Sequence, residues 1–253
     1  MRKDICSLGS RIAIAVTGGC DRSKIFENPF GYLACFLPSM RTNTMKNVFE
    51  LAHPLAQHHL SILRSTSTSP AQFRTQIHLL AMLLAVRATD DLKLQPARVV
   101  TPLTEMLGNC LSQRIGIVPI LRAGLGLVEP VLQLIPDAAV WHVGMYRDEA
   151  TAQPVEYYSK LPEENAVDVG LVLDPMLATG GSIKAAVVAL QRWGVKDIRV
   201  LSVIAARPGI EQFHQEYPDV KVFVACIDPE LNSHKFIVPG LGDAGDRMFN
   251  TLR

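Results

Sequence analysis

The sequence has almost no net charge: 25 Lys and Arg stand against 24 Asp and Glu, leaving +1 over 253 residues. That balance does not advertise a nucleic-acid-binding or membrane-binding surface. Cysteine is scarce and poorly placed for either disulfide staples or a metal. The five (Cys6, Cys20, Cys35, Cys110, Cys226) are odd in number and scattered, with no Cys-x-x-Cys and no Cys/His pair at zinc spacing. Such usage fits a reducing compartment, so a cytoplasmic location is expected. No apolar run approaches the roughly 18 residues that read as a membrane span. The N-terminal run Ile12–Val16 is too short for a signal-peptide core of roughly 7 to 15 residues, and Arg11 abuts it. Internal repeats and low-complexity tracts are also missing.

What is present suffices for a full core: 48% of residues are hydrophobic and 19% charged. Residues 1–44 differ in style from the rest, because Gly18-Gly19, Pro29, Gly31 and Pro38 break any sustained period. They read as a loosely specified leader. Met45, just ahead of the first clear patterning, is a candidate start of the functional polypeptide; an ordered extension and a weak organellar presequence are the alternatives. Residues 45–253 are read as one domain.

Within it, Ser69-Pro70 opens a helix whose buried face would carry Phe73, Ile77, Leu80, Leu84 and Val86 through Ala88. Short β-branched runs then follow at Ile115–Leu121, Val140–Met145, Val167–Leu173, Val200–Ala206 and Val220–Ile227, with helical stretches at Ile183–Trp193 and Ile210–Tyr217. Near-continuous apolar strands alternating with helices predict an α/β fold, a doubly wound and mostly parallel sheet flanked by helices.

In such a sheet ligands collect beyond the carboxyl ends of strands. The segment Val169 to Ser182 runs a buried strand into Asp174, Pro175, Met176 and Leu177, then into Ala178-Thr179-Gly180-Gly181-Ser182 at a helix start. Backbone N–H groups and two hydroxyls there suit a phosphate monoester, which the helix dipole also favours. Taken alone, Thr179–Ser182 reads more readily as a helix cap. Asp174, leaving a buried strand where a ligand's hydroxyls would lie, shifts the balance to a ligand loop. It is not a P-loop, since no Gly-Lys-Ser follows, and not a dinucleotide fingerprint.

Two arginines follow strands in the same manner. Arg122, with Gly124 and Gly126 behind Ile117–Leu121, offers a charged fork suited to pyrophosphate, although an ordinary surface turn fits it equally. Arg147 ends the next strand, and Glu149 to Lys160 reads as a long polar loop able to close over a substrate. Tyr157 and Tyr158 within it fit hairpin packing equally well. Near the C-terminus, Phe236 to Arg247 holds three glycines among three charged residues, which suits close approach of main chain to a flat ligand.

These segments resemble the uracil phosphoribosyltransferases. Asp174-Pro175-Met176-Leu177-Ala178-Thr179-Gly180-Gly181-Ser182 is similar to that family's signature for phosphoribosyl pyrophosphate (PRPP), and the likeness runs in order from about Val48, through His53–His58, to Thr251. Pro175 stands where many related transferases have a second acid, a departure typical of the uracil enzymes. Glu129-Pro130 and Ala205–Gly209 are smaller departures.

The resemblance implies a type I phosphoribosyltransferase-like fold with a small base-binding hood. Uracil and PRPP would be its substrates, Mg2+ its cofactor held mainly by PRPP, GTP an allosteric activator, and the assembly a homo-oligomer. It places PRPP at Arg122, Arg147, Asp174, Pro175, Met176, Leu177, Ala178, Thr179, Gly180, Gly181, Ser182 and Asp243. Uracil falls at Ile237, Gly242, Asp243 and Ala244, and catalysis at Asp174, Asp243 and Arg147. Two other readings are weaker: an RNA-binding regulator lacks a basic-aromatic face, and a purine enzyme lacks an aromatic residue among Gly240–Arg247 to stack on the larger base.

Overall fold

A computed structural model describes residues 45–147, 154–159, 162, 164 and 166–251. The leader 1–44 and much of the segment from 148 to 165 therefore lie outside the described residues. In chain order the elements are β1 (Val48–Glu50), α1 (Pro54–Arg64), α2 (Pro70–Ala88), β2 (Leu94–Val100), β3 (Glu105–Leu111), β4 (Ile115–Leu121), a 3-10 turn (Ala123–Leu127), α3 (Val128–Leu134), β5 (Ala139–Val140), β6 (Val143–Arg147) and β7 (Pro154–Ser159). There follow β8 (Val169–Leu173), β9 (Met176–Leu177), α4 (Gly181–Trp193), β10 (Asp197–Ala206), α5 (Arg207–Glu216), β11 (Lys221–Asp228), β12 (Glu230–Leu231), β13 (Ile237–Val238) and α6 (Ala244–Phe249).

The main sheet runs β1-β11-β10-β8-β4-β6-β7, and every neighbouring pair is parallel except β6–β7. Strands β4 and β8 read as unbroken apolar runs, and β10 nearly so from Val200 onward, because both faces are covered. Ile115, Ile117, Leu171, Leu173, Leu201 and Val203 point into a core closed by α1, α2, α3 and α6. On the other face Val118, Ile120, Val172 and Val200 meet Ile183, Val187, Leu190 and Trp193 of α4 and Phe213 of α5. After β4 the chain builds outward to β6 and β7, then returns to the opposite side of β4 as β8. That reversal opens a crevice outside the carboxyl ends of β4 and β8.

Ser69 caps α2 with a full capping box, Gln72 N–H donating to Ser69 Oγ and Ser69 N–H to Gln72 Oε1. Val86, expected on the buried face, is exposed: one turn past Met82 it falls on the solvent side, while Leu84 and Ala88 turn inward. The strand expected at Val140–Met145 is two, because Trp141 N–H bonds Ile117 O and steps the chain from β5, beside Gly116–Ile117, to β6, beside Ile120–Leu121. The polar loop expected from Glu149 to Lys160 is also corrected: 154–159 is β7, paired antiparallel to β6.

The hairpin β2–β3 was not foreshadowed beyond Val99-Val100. Leu94 pairs with Leu111 and Val100 with Glu105, and Thr101 closes the turn by accepting from Leu103 and Thr104 N–H. Gly108 lies under Val99, whose Cγ2 a Cβ there would meet at 2.7 Å, so a larger residue would push that side chain aside. The ribbon carries Leu94, Val100, Leu107 and Leu111 on one face and Val99 and Met106 on the other. All are exposed, with Leu103 95% exposed at the tip.

At the amino end of β10 a buried guanidinium ties sheet to helix. Arg199, 1% exposed, donates to Asp197, to Asp91 and to the Ala88 carbonyl at the end of α2. Lys221 bonds Asp91 at 2.8 Å. Arg199→Ala is expected to lower the unfolding free energy by about 2–4 kcal/mol, somewhat less than for a fully dry pair because Asp91 and Asp197 keep water contact. Urea titration checks this; a loss below about 0.5 kcal/mol, typical of neutral surface changes, would show that the network is not holding α2 to the sheet.

Candidate active site

Three parallel strands end side by side at the crevice. Pro119 pairs with Leu173, and Leu121 with Gly144, so β8, β4 and β6 deliver Asp174, Arg122 and Arg147 to one edge of the sheet. Arg147 closes β6 opposite Pro154; its side chain and residues 148–153 lie outside the described residues.

The chain does not simply leave the sheet after β8. Asp174 N–H still bonds Leu201 O, Pro175 O accepts from Val203 and Ile204 N–H, and β9 resumes pairing with β10 at Ile204–Ala205. Proline fits this step because its ring occupies a position whose nitrogen needs no partner. Met176 N–H donates to Asp174 Oδ1 at 3.1 Å, which orients the carboxylate. Gly180 then turns the chain with φ +78° and becomes the N-cap of α4, so Gly181 and Ser182 form its first turn. The loop rests on α5: a Cβ on Gly209 would lie 1.8 Å from Ala178 O. Gly209 thus supports the loop from Asp174 to Ser182, a role not legible in Ala205–Gly209 from the sequence.

Opposite it, the Arg122 loop packs under β8, since a Cβ on Gly124 would meet Leu173 O at 2.4 Å. Arg122 extends into solvent and pairs with Asp246 at 3.3 Å. Asp246 belongs to the glycine-rich tail, where Asp243 caps α6 by accepting from Asp246 N–H at 2.8 Å. Asp246 went unassigned in the sequence, although its position three residues past an aspartate N-cap is a recognisable capping spacing.

In the tail, β12 and β13 form a small antiparallel pair off the main sheet, with Glu230 opposite Val238 and Leu231 opposite Ile237. The Ile237 side chain is in the core, leaving its main chain for any contact with a ligand. Gly242 turns with φ +80°, and Asp243 is exposed. Asp243 lies close enough to Asp174 for its charge to act on that carboxyl. The structure therefore brings Arg122, Asp174 to Ser182, and Ile237 to Ala244 to one crevice.

Asp174 retains some solvent contact at the mouth, yet strands enclose it closely enough for desolvation to dominate. Burial pushes its carboxyl up to about 7, with the charge of Asp243 adding and the Met176 N–H opposing. A sheet switch point with an acid-led loop at the end of one strand and an arginine loop at the end of its neighbour has the architecture of a type I phosphoribosyltransferase. The family model described as uracil phosphoribosyltransferase matches residues 50–251.

The chain is 55% identical over 207 residues to the uracil phosphoribosyltransferase of Roseiflexus sp. (strain RS-1), covering 82% of this chain and 100% of that one. It is 49% identical to that of Thermoanaerobacter sp. (strain X514), over 81% of this chain and 99% of the relative. Among solved structures, the AQ2163 protein from Aquifex aeolicus superposes with a TM-score of 0.76 at 36% identity, covering 80% of this chain and 97% of that one. This chain belongs to the uracil phosphoribosyltransferase family.

The raised pKa of Asp174 makes the stability of the fold depend on pH. The unfolded carboxyl ionises near 3.8 and the folded one near 7, so the wild type loses stability as pH rises between those values and keeps that loss above 7. Asp174→Asn removes that ionisation. Its stability relative to wild type should therefore grow from pH 4 to 7 and level off above, measured by denaturation of the ligand-free protein; a constant difference across that range would show that Asp174 is ionised normally.

Proposed function

We propose that the chain transfers the phosphoribosyl group of PRPP to uracil: the bond from C1′ to pyrophosphate breaks, a C1′–N1 bond forms, and N1 gives up its proton, yielding UMP and pyrophosphate. The observation that carries this reading is the convergence of the Asp174 loop, the Arg122 loop and the glycine-rich tail on one crevice in a chain of this family.

In this reading residues 176–182 take the 5′-phosphate at the start of α4, and Asp174 meets the ribose hydroxyls and the positive character that develops on the sugar. Arg122 and Arg147 receive the departing pyrophosphate. Arg122 gives up little to do so, since a long exposed pair such as Arg122–Asp246 contributes at most about 1 kcal/mol. Asp243 sits between ribose and base, placed to accept or order the N1 proton. Positioning and charge carry the reaction, with no covalent enzyme intermediate.

Magnesium fits this site only as a passenger of PRPP. Among the described residues no group of three or more His, Cys, Asp or Glu could cage a metal. Asp174 and Asp243 supply at most two carboxylates, which suits an ion that keeps its waters and arrives on substrate phosphates. Bound there, it neutralises charge on the pyrophosphate oxygens. GTP activation and a cytoplasmic location rest on the family likeness alone; no helix among the described residues is long and apolar enough to cross a membrane.

A homo-oligomer is supported by β2–β3. A two-stranded ribbon is marginal by itself in water, and this one exposes large apolar side chains on both faces, so a second copy of the chain is its proposed cover. Residues 1–44 are proposed to be a leader dispensable for catalysis. Sedimentation of residues 45–253 should show an active oligomer, and Leu107→Asp should shift it toward monomer. Loss of more than about tenfold in rate on removing the leader, or an unchanged oligomer in the variant, would refute the respective proposal.

Base selection follows from edge chemistry. Uracil presents acceptor, donor and acceptor at O2, N3–H and O4, which peptide groups at Ile237 and Gly242–Ala244 can match. Cytosine reverses two of the three, each mismatch costing about 1–3 kcal/mol. Discrimination of roughly a thousandfold in kcat/KM is expected, with 5-fluorouracil accepted because fluorine leaves the edge intact. Cytosine turnover within about tenfold of uracil would refute main-chain reading of the base.

A further inference from the structure

Behind the base segment lies a cluster of charge that the mechanism above does not use. Arg64, at the end of α1, forks onto Asp228 at the end of β11 with contacts of 2.8 and 2.7 Å. Asp228 is 3% exposed. The same Arg64 Nη1 donates to Gly240 O at 2.9 Å, and Gly240 N–H donates back to Asp228 Oδ2 at 3.0 Å. Both main-chain groups of Gly240 are thus bound by one ion pair. Cys226 Sγ adds a weak contact to Asp228 Oδ1 at 3.7 Å.

A second arginine runs the other way. Arg247, on α6, donates to Leu241 O at 2.7 Å and to Leu63 O at 2.8 Å, and also to Ser65 O. It lies over the Phe73 ring, 4.6 Å from the centroid. Leu63 and Ser65 carry terminal carbonyls of α1, which lack partners within the helix and favour a cation. One arginine reaches from α1 to the tail and the other from the tail to α1, so the two elements are buckled from both sides.

The buckle grips residues 240 and 241, and the peptide groups assigned to uracil, at Ile237 and Gly242–Ala244, bracket that grip. Gly240 sits at φ +63° with no room for a side chain, because a Cβ would fall 2.1 Å from Ile237 O. The turn between the two halves of the base contact is therefore set by Arg64, Asp228 and Arg247 together. An apolar filling of the same volume would hold α1 equally well or better. What a bidentate pair adds is direction, and recognition through main-chain donors and acceptors tolerates errors of only about 0.5 Å.

We propose that Arg64 and Asp228 are positioning residues for the base: through Gly240 they fix the spacing of the uracil-reading peptide groups and so set the preference for uracil over cytosine. The proposal rests on the assignment of uracil to residues 237–244.

The test compares Arg64→Lys, Asp228→Asn and Gly242→Ala with wild type in steady-state assays with uracil, cytosine and PRPP. Lysine keeps the charge, but its single nitrogen cannot fork onto Asp228 while holding Gly240 O; asparagine keeps the shape and loses the pair. Both are expected to raise KM for uracil at least tenfold, to leave KM for PRPP within about twofold, and to cut the uracil-to-cytosine ratio of kcat/KM at least tenfold. Neither KM nor that ratio depends on how much of the variant is folded, so a merely structural role would lower only the apparent kcat. Unchanged uracil KM and ratio in Arg64→Lys and Asp228→Asn, or equal rises in both KM values, would overturn the proposal. If Gly242→Ala alone impairs uracil use, the base-site assignment stands and the positioning role falls. Should Gly242→Ala leave uracil KM untouched as well, the base-site assignment itself fails and the positioning role with it.

Discussion

Strands buried on both faces satisfy their main-chain groups sideways, so their polar chemistry can appear only where they end. In β4, β8 and β10 the side chains point alternately into two apolar cores, leaving no surface for a ligand along their length. The carboxyl ends alone are free of that constraint, and the reversal of chain direction about β4 keeps the ends of β4 and β8 from being roofed by their own connections. Asp174 depends directly on this frame. Its N–H remains in the ladder with Leu201 while its carboxylate has already left, which is how one residue can be both rigid and available.

The same sheet separates its arginines by task. At the amino ends, Arg199 is buried and saturated by Asp197, Asp91 and a helix carbonyl, and it serves to lock α2 down. At the carboxyl ends, Arg64 and Arg247 are committed to carboxylate and main-chain oxygens, whereas among the described residues Arg122 holds only the long, exposed contact to Asp246. A cation bound to protein oxygens on all sides organises its neighbours; a cation with one weak partner can exchange it for an anion. The difference lies in the number and burial of partners, since the residue type is the same.

Glycine divides similarly. Gly124 and Gly209 permit close approach of main chain from neighbouring elements to Leu173 O and Ala178 O, holding two site loops from below. Gly180, Gly240 and Gly242 instead supply left-handed backbone at turns within the loops themselves. Substitution of the first pair would move the loops; substitution of the others would misdirect their peptide groups.

Patterns local in sequence were legible without coordinates. The alternation of apolar runs and helices determined the doubly wound sheet, Ser69-Pro70 marked the start of α2, and Asp174 to Ser182 showed a loop between a strand end and a helix start because acid, glycines and helix start are consecutive in the chain. What the tertiary structure alone decided is contact between segments far apart. Arg64 meets Asp228 and Gly240 across 164 and 176 residues, a distance over which no periodicity carries information. The hairpin β2–β3 leaves no such pattern because it is exposed on both faces, and a strand without a buried side shows no alternation. The sequence by itself determines the elements and the chemistry carried within one loop, since those follow from neighbours along the chain. Which loops share a crevice, and which charges hold them there, is decided only when the sheet order sets their ends side by side.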